Sequence, residues 1–336
     1  FQMEWMYAFN ERIIRATMEQ FTYNFSPAIK LDKGYLYISN HRDIILDSSL
    51  LQMVFVYNNL PTSMITYGDN LIINTLAADI ARANKMFKVV RKGSKRKLFK
   101  NSLILSEFIR SSVSEGDSCW IAQRNGRTKD GIDKTSQALV KRMTMSGSRK
   151  DPVDNYASLN IVPVTMSYEY ESCDYLKTRE LLALADGDPY EKEEGEDLNS
   201  ILTGISQYKG RVHINVGDPI TREDLEPYRG DDFATFSGRV CDLIDAQITR
   251  NYQYFPSNYL AYDMLHGTTR FSDHYTSEYK AAFIKRMEKL FLDSGSDTPF
   301  REYLPKTGIY TDTLSPAELR KAREIFLGIY AHPLGQ

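Results

Sequence analysis

Residues 35–60 read YLYISNHRDIILDSSLLQMVFVYNNL, a short apolar strand, a polar corner and an apolar helix in immediate succession. Leu36 to Ser39 has strand composition, and Ile44 to Tyr57 has the length and apolar density of a buried helix, with Asp43 in its first turn. The same alternation recurs on the C-terminal side. A strand at Ser63 to Thr66 precedes a helix from Leu71 to Asn84. A strand at Phe87 to Val90 precedes a long helix from Lys95 to Ser114. A fourth strand, Cys119 to Gln123, leads to a helix at Thr135 to Ser146, and Leu159 to Tyr168 and Gly210 to Gly217 complete the strand set. Strands alternating with helices predict a layered α/β domain with a mixed or largely parallel central sheet flanked by helices. After Pro219 the pattern turns helical and Tyr-rich, so three parts are expected: an N-terminal helical segment (1–34), an α/β domain (35–220) and a C-terminal α-helical extension (221–336). Met3 to Tyr23 is close to helical spacing and predicts a helix packed on the domain, with membrane-surface contact as the alternative. Tyr190 to Asp197 reads as an acidic loop.

Composition narrows the function classes. A net charge of −2 with 26% charged residues argues against a general nucleic-acid binder, so any anion-binding function must be local. Cys119, Cys173 and Cys241 are far apart without CxxC spacing, which suggests neither a disulfide framework nor a zinc site and fits a reducing compartment. No other His/Cys/Asp grouping has metal-ligand spacing. Ile44 to Leu60 is the most apolar long segment, yet Asp47, Ser48, Ser49 and Gln52 interrupt it, so it reads as a buried helix and not as a membrane span. The chain begins at Phe1 without Met, leaving an upstream signal or anchor open.

The polar corner is where an α/β enzyme would mount a base. His41 follows the strand directly, and Asp43 and Asp47 lie close by; a carboxylate accepting from one ring nitrogen makes the other a better proton acceptor. Asp47 is the favoured partner of the ring, with Asp43 as helix cap and second candidate. From Lys88 to Lys100 seven cations surround a Gly93-Ser94 turn without an acidic residue. A helix N-terminus beside Lys and Arg suits a phosphate, although a solvated helix face is the ordinary reading for most of these lysines. Arg91 stands apart because it follows its strand immediately. Residues 120–131, WIAQRNGRTKDG, take a strand into a glycine-flexed loop crowded with Arg124, Arg127 and Lys129. Pro163 within an apolar strand predicts an edge strand or a bulge. His213 reads as a packed strand residue. His41-Arg42-Asp43 is not a kinase catalytic loop, since Ser48 stands where Asn is needed, and no nucleophile elbow or P-loop is present.

Four of these features, in order, resemble the glycerolipid acyltransferase family of bacterial type, which acylates glycerol phosphate and lysophospholipids: Asn40-His41-Arg42-Asp43 with Asp47 after a strand; Phe87 to Arg91; the loop at Asn125-Gly126-Arg127; and Ile161-Val162-Pro163-Val164. The resemblance spans roughly residues 35 to 220. It implies an O-acyltransferase of phospholipid biosynthesis, using acyl-CoA or acyl carrier protein as donor and holding no cofactor. Partners would be the acyl donor, a lysophospholipid and a membrane lipid surface, with no nucleic acid, and the location would be cytoplasmic and peripheral to the inner membrane. His41 would act as base with Asp47 or Asp43. Arg91, Asn125, Gly126, Arg127, Lys129 and Arg42 would hold the acceptor, and Val162 and Pro163 would lie on the acyl side. Two departures stand out. The family's His-x-x-x-x-Asp spacing meets Leu46, with Asp47 one residue later, and Asn125 stands where the family has Glu. A non-catalytic binder of anionic lipid, or an acyltransferase acting on an amino-acid-derived lipid, are the alternatives.

Overall fold

The computed structural model describes residues 1–68, 75–90, 93–185, 190, 192, 195–292 and 315–335. After a single π-helical turn, Gln2–Met6, the elements run α1 (Tyr7–Thr17), β1 (Met18–Phe25), β2 (Leu36–Ser39), α2 (Leu46–Tyr57), β3 (Met64–Gly68), α3 (Thr75–Ala83), β4 (Met86–Val89), α4 (Lys95–Ser114), β5 (Cys119–Ala122), α5 (Gln137–Met143), α6 (Pro152–Ala157), β6 (Ile161–Tyr168), α7 (Asp174–Ala185), α8 (Glu196–Ser206) and β7 (Gly210–Val216). The C-terminal helices are α9 (Arg222–Leu225), α10 (Phe233–Arg250), α11 (Pro256–His266), α12 (Ser277–Leu292) and α13 (Pro316–Ala331).

The strands form one sheet in the order β1-β7-β6-β2-β5-β3-β4. Every pairing is parallel except β6 with β7. This is the layered, mostly parallel α/β architecture with flanking helices and a helical C-terminal region. Side chains alternate between two cores. Leu36, Ile38, Cys119, Ile121 and Ile161 point to the face covered by α4, α5, α6 and α10. Tyr35, Tyr37, Trp120, Val162 and Val164 point to the face covered by α1 and α2. Ten consecutive residues of α2, Leu46 to Phe55, are buried. A third apolar cluster joins α7 to α11, α12 and α13 through Leu182, Leu260, Phe283 and Phe326.

Two local expectations are corrected. The N-terminal helix ends at Thr17, whose hydroxyl donates back to the Ile13 carbonyl at 2.8 Å, and Met18–Phe25 becomes an edge strand parallel to β7. Met18 and Phe21 fit a helical period, but Phe21, Tyr23 and Phe25 alternate, and aromatic residues flanking Thr22 favour the pleated surface. Pro163 is not on an edge: β6 lies between β2 and β7. The antiparallel ladder with β7 begins only at Val164, and the Pro163 carbonyl accepts from Gly217 N–H at 2.9 Å just past the end of β7. The missing N–H of Pro163 therefore removes no ladder bond. The first residues of the helix expected from Leu71, three glutamates of the acidic loop (Glu191, Glu193 and Glu194) and Arg91 lie outside the described residues.

Candidate active site

A cleft of about 110 Å³ opens at the C-terminal ends of the central strands. His41 after β2, Gly68 of β3, Val89 of β4 and the loop after β5 all line it. Ligands of open α/β sheets bind at this end, because the loops there leave the sheet in different directions and a crevice forms between them.

His41 is held by its ring and by its backbone. Its Nδ1 lies 2.9 Å from Asp47 Oδ2, and the edge of its ring meets Trp120 at 6.1 Å between centroids. The same Asp47 oxygen accepts the backbone N–H groups of Arg42 at 2.7 Å and Asp43 at 2.9 Å. Its other oxygen accepts the Tyr168 hydroxyl at 2.8 Å. Asp47 is fully buried, and four donors compensate its desolvation. With Asp47 as acceptor, Nδ1 carries the proton and Nε2 is left as the basic nitrogen. Burial, then the nearby Asp47 and Asp43, push the Tyr168 hydroxyl well above its ordinary pKa, so it stays a donor. Asp43 does not reach the ring. Its Oδ1 accepts from Ile45 and Leu46 N–H at 2.9 and 2.8 Å, closing the start of α2, and Oδ2 accepts from Ser172.

Arg42 faces away from the cleft, contrary to its expected place among the substrate-binding residues. It is fully buried, donates to Asp133 at 2.6 Å and to Glu171 at 3.4 Å, and lies over the Tyr252 ring. Burial alone would lower its pKa, but Asp133, Tyr252 and Glu171 hold it well above the ordinary value. Buried Lys177 completes the cluster by binding Glu171 and the Arg42 carbonyl. Asp133 ties the corner after β2 to the loop after β5, accepting from Asn40 at 2.8 Å, from Arg42 and from Thr128 at 2.7 Å. Asn40 also exchanges hydrogen bonds with the Met166 backbone, tying the corner to β6.

The loop after β5 brings Arg124, Asn125, Gly126, Arg127 and Lys129 to the cleft. Gly126 turns it at φ 75°, a left-handed conformation that glycine adopts without strain. Arg127 is only 8% exposed, and its Nη1 is buried with no hydrogen-bond partner among the described residues. Burial alone would lower its pKa, yet the Cys173 thiol and the Asp43 carboxylate keep it raised. Lys129 is ion-paired with Glu180, so its charge is already compensated. Asn125 is exposed at the rim. Val162 and Pro163 lie within the sheet and do not line the cleft, which corrects their expected place beside the substrate. The backbone N–H groups of Arg42 and Asp43 are used by Asp47, and that of Thr128 by the His41 carbonyl, so none is free to stabilise an oxyanion.

Sequence reasoning missed Tyr168, Asp133, Glu171 and Lys177. Only Tyr168 left a signal: along β6 the even-numbered residues share the α2 face, which puts its hydroxyl over the start of that helix. His213 is bonded to Thr22 at 2.8 Å, and its pKa is lowered by burial. Among the described residues no His, Cys, Asp or Glu cluster could hold a metal, and no helix is long and apolar enough to cross a membrane.

No family model and no curated protein matches the chain. Among solved structures, the 1-acyl-sn-glycerophosphate (LPA) acyltransferase PlsC from Thermotoga maritima aligns with 75% of this chain and 81% of its own length, at 9% identity and a TM-score of 0.43. A likeness so slight carries no argument about chemistry.

Proposed function

We propose that this chain is an O-acyltransferase that moves a fatty acyl group from a thioester donor, acyl-CoA or acyl carrier protein, to a hydroxyl of a phosphorylated glycerolipid acceptor. The reading rests on one observation: a His41–Asp47 pair in a cleft that is also lined by Arg127, whose buried Nη1 has no hydrogen-bond partner among the described residues. Nε2 of His41 takes the proton of the acceptor hydroxyl as its oxygen attacks the thioester carbonyl. The C–S bond then breaks, and the imidazolium returns the proton to the leaving thiolate. Asp47 stabilises the imidazolium meanwhile, and general-base assistance of this kind contributes about 10²- to 10⁴-fold in rate. Arg127, with Arg124 beside it, holds the acceptor phosphate so that its hydroxyl meets the base; positioning replaces any covalent intermediate. Arg42 has no part in binding on this reading, and Lys129 a reduced one.

The test is thiol release from palmitoyl-CoA and from palmitoyl carrier protein, with and without lysophosphatidic acid or glycerol 3-phosphate. The chain is compared with Asn125→Glu and His41→Ala variants. Acceptor-dependent release that disappears in His41→Ala supports the proposal. Release only from Asn125→Glu would mean that Asn125 has disabled the enzyme. Silence from both folded proteins would favour a lipid-binding protein without turnover, or a hydroxylated amino-acid lipid as acceptor.

A further inference from the structure

Helix α4 has two stripes. Ser102, Leu105, Ser106, Ile109 and Val113 are buried against the sheet. On the opposite side Arg96, Phe99, Lys100, Leu103 and Ile104 follow the i, i+3, i+4, i+7, i+8 spacing of a single face. The solvent side of a helix packed on a sheet is ordinarily polar. Here Phe99 is 60%, Ile104 51% and Phe108 39% exposed. Lys95, Arg96, Lys97 and Lys100 are exposed among them, and the one acidic residue of the helix, Glu107, is exposed on the same side beyond Ile104, so four cations face a single carboxylate there. The cationic end of the helix begins six residues after Val89, which lines the cleft.

We propose that this face of α4 docks the protein on an anionic lipid surface. Its purpose rests on the lipid-acceptor reading above, while its existence can be tested separately. An acidic protein would be matched by the cations alone. Large apolar side chains interleaved with cations match a bilayer interface, where the rings enter the headgroup region and the ammonium and guanidinium groups meet lipid phosphates. The N-terminal helix also exposes apolar residues, with Trp5 the most exposed, but Glu4 and Glu11 accompany Arg12 and Arg15 there, so it lacks the charge complement.

The experiment is cosedimentation of the full chain with vesicles of phosphatidylcholine alone and of phosphatidylcholine mixed with phosphatidylglycerol, without acyl donor. Binding to the mixed vesicles that weakens with added salt is expected. Arg96→Gln with Lys100→Gln should lower the partition coefficient about 25-fold, taking about fivefold for each cation near an anionic surface. Phe99→Ser with Ile104→Ser should lower it as well, and both variants should keep the parent's thiol release with soluble glycerol 3-phosphate in detergent. The proposal is overturned if the chain stays in the supernatant, or if Trp5→Ser abolishes binding while the α4 variants bind normally. It is overturned equally if the α4 changes dissociate a dimer, or if they weaken binding to an acidic carrier protein and not to vesicles. Vesicle binding by a chain that releases no thiol would retain the surface and reject the enzyme.

Discussion

Replacing Asp47 by Asn removes one charge while keeping the shape of the site. An amide oxygen at the Oδ2 position still accepts from the His41 ring and from the backbone N–H groups of Arg42 and Asp43. The Tyr168 hydroxyl needs only to rotate and accept from the amide nitrogen. Stability should therefore change little. The loss falls on the imidazolium formed during proton abstraction, which no longer faces a carboxylate. Opposite charges about 4 Å apart attract by about 4 kcal/mol at an effective dielectric constant of about 20. If relaxation recovers up to half of this, about 2–4 kcal/mol remains, or about 30- to 1000-fold in rate. The assay is kcat for acceptor-dependent thiol release, alongside thermal melting of both proteins. A kcat within about twofold of the parent's at an unchanged Tm would refute the idea that Asp47 stabilises a cation on His41.

Three further outcomes follow from the geometry. Arg42→Met leaves Asp133 and Glu171 buried with one partner fewer, so urea denaturation should register a loss of about 3–5 kcal/mol, with KM for the acceptor unchanged in the folded fraction. Arg127→Ala should raise KM for a phosphorylated acceptor about 10- to 100-fold, corresponding to one charge-assisted hydrogen bond of about 1.5–3 kcal/mol, and an unchanged KM would remove Arg127 from the binding site. Lys209 is buried, and desolvation brings its pKa down to about 8 from an ordinary 10.5. The unfolded chain therefore binds more protons between these values, so this residue's contribution to stability should rise with pH from about 8 upward. Urea midpoints compared with Lys209→Met should diverge in the parent's favour across that window, and parallel curves would contradict the assignment.

The sheet was legible wherever a strand declared itself by an apolar run ending in a polar corner, as at Leu36–Ser39 and Cys119–Ala122. α4 was legible to its ends because Gly93-Ser94 punctuates its start. β1 was not, since Met18 and Phe21 satisfy a helical period and only pairing with β7, nearly two hundred residues away in the chain, decides the matter. The contrast is sharper at the site. His41 and Asp47 are six residues apart, so local reading could bring them together. Arg42 meets Asp133 and Glu171 across separations of 91 and 129 residues, and no local pattern distinguishes a buried structural arginine from one that waits for a ligand. A charged residue next to a candidate base is naturally assigned to the substrate, and only burial reverses that assignment.

The Asp133 junction sets a length. Through it and the bond from Thr128 N–H to the His41 carbonyl at 2.6 Å, the corner bearing the imidazole and the loop bearing Arg127 form one rigid piece. The span between base and guanidinium is thus held by the side-chain bonds of Asp133 and one backbone bond, like the jaws of a set calliper. On the proposed function, a molecule gripped at Arg127 would meet His41 with whichever atom lies one such span from its charge, so selectivity would be governed by the reach between two groups on the ligand, and exchanging Asp133 would alter it.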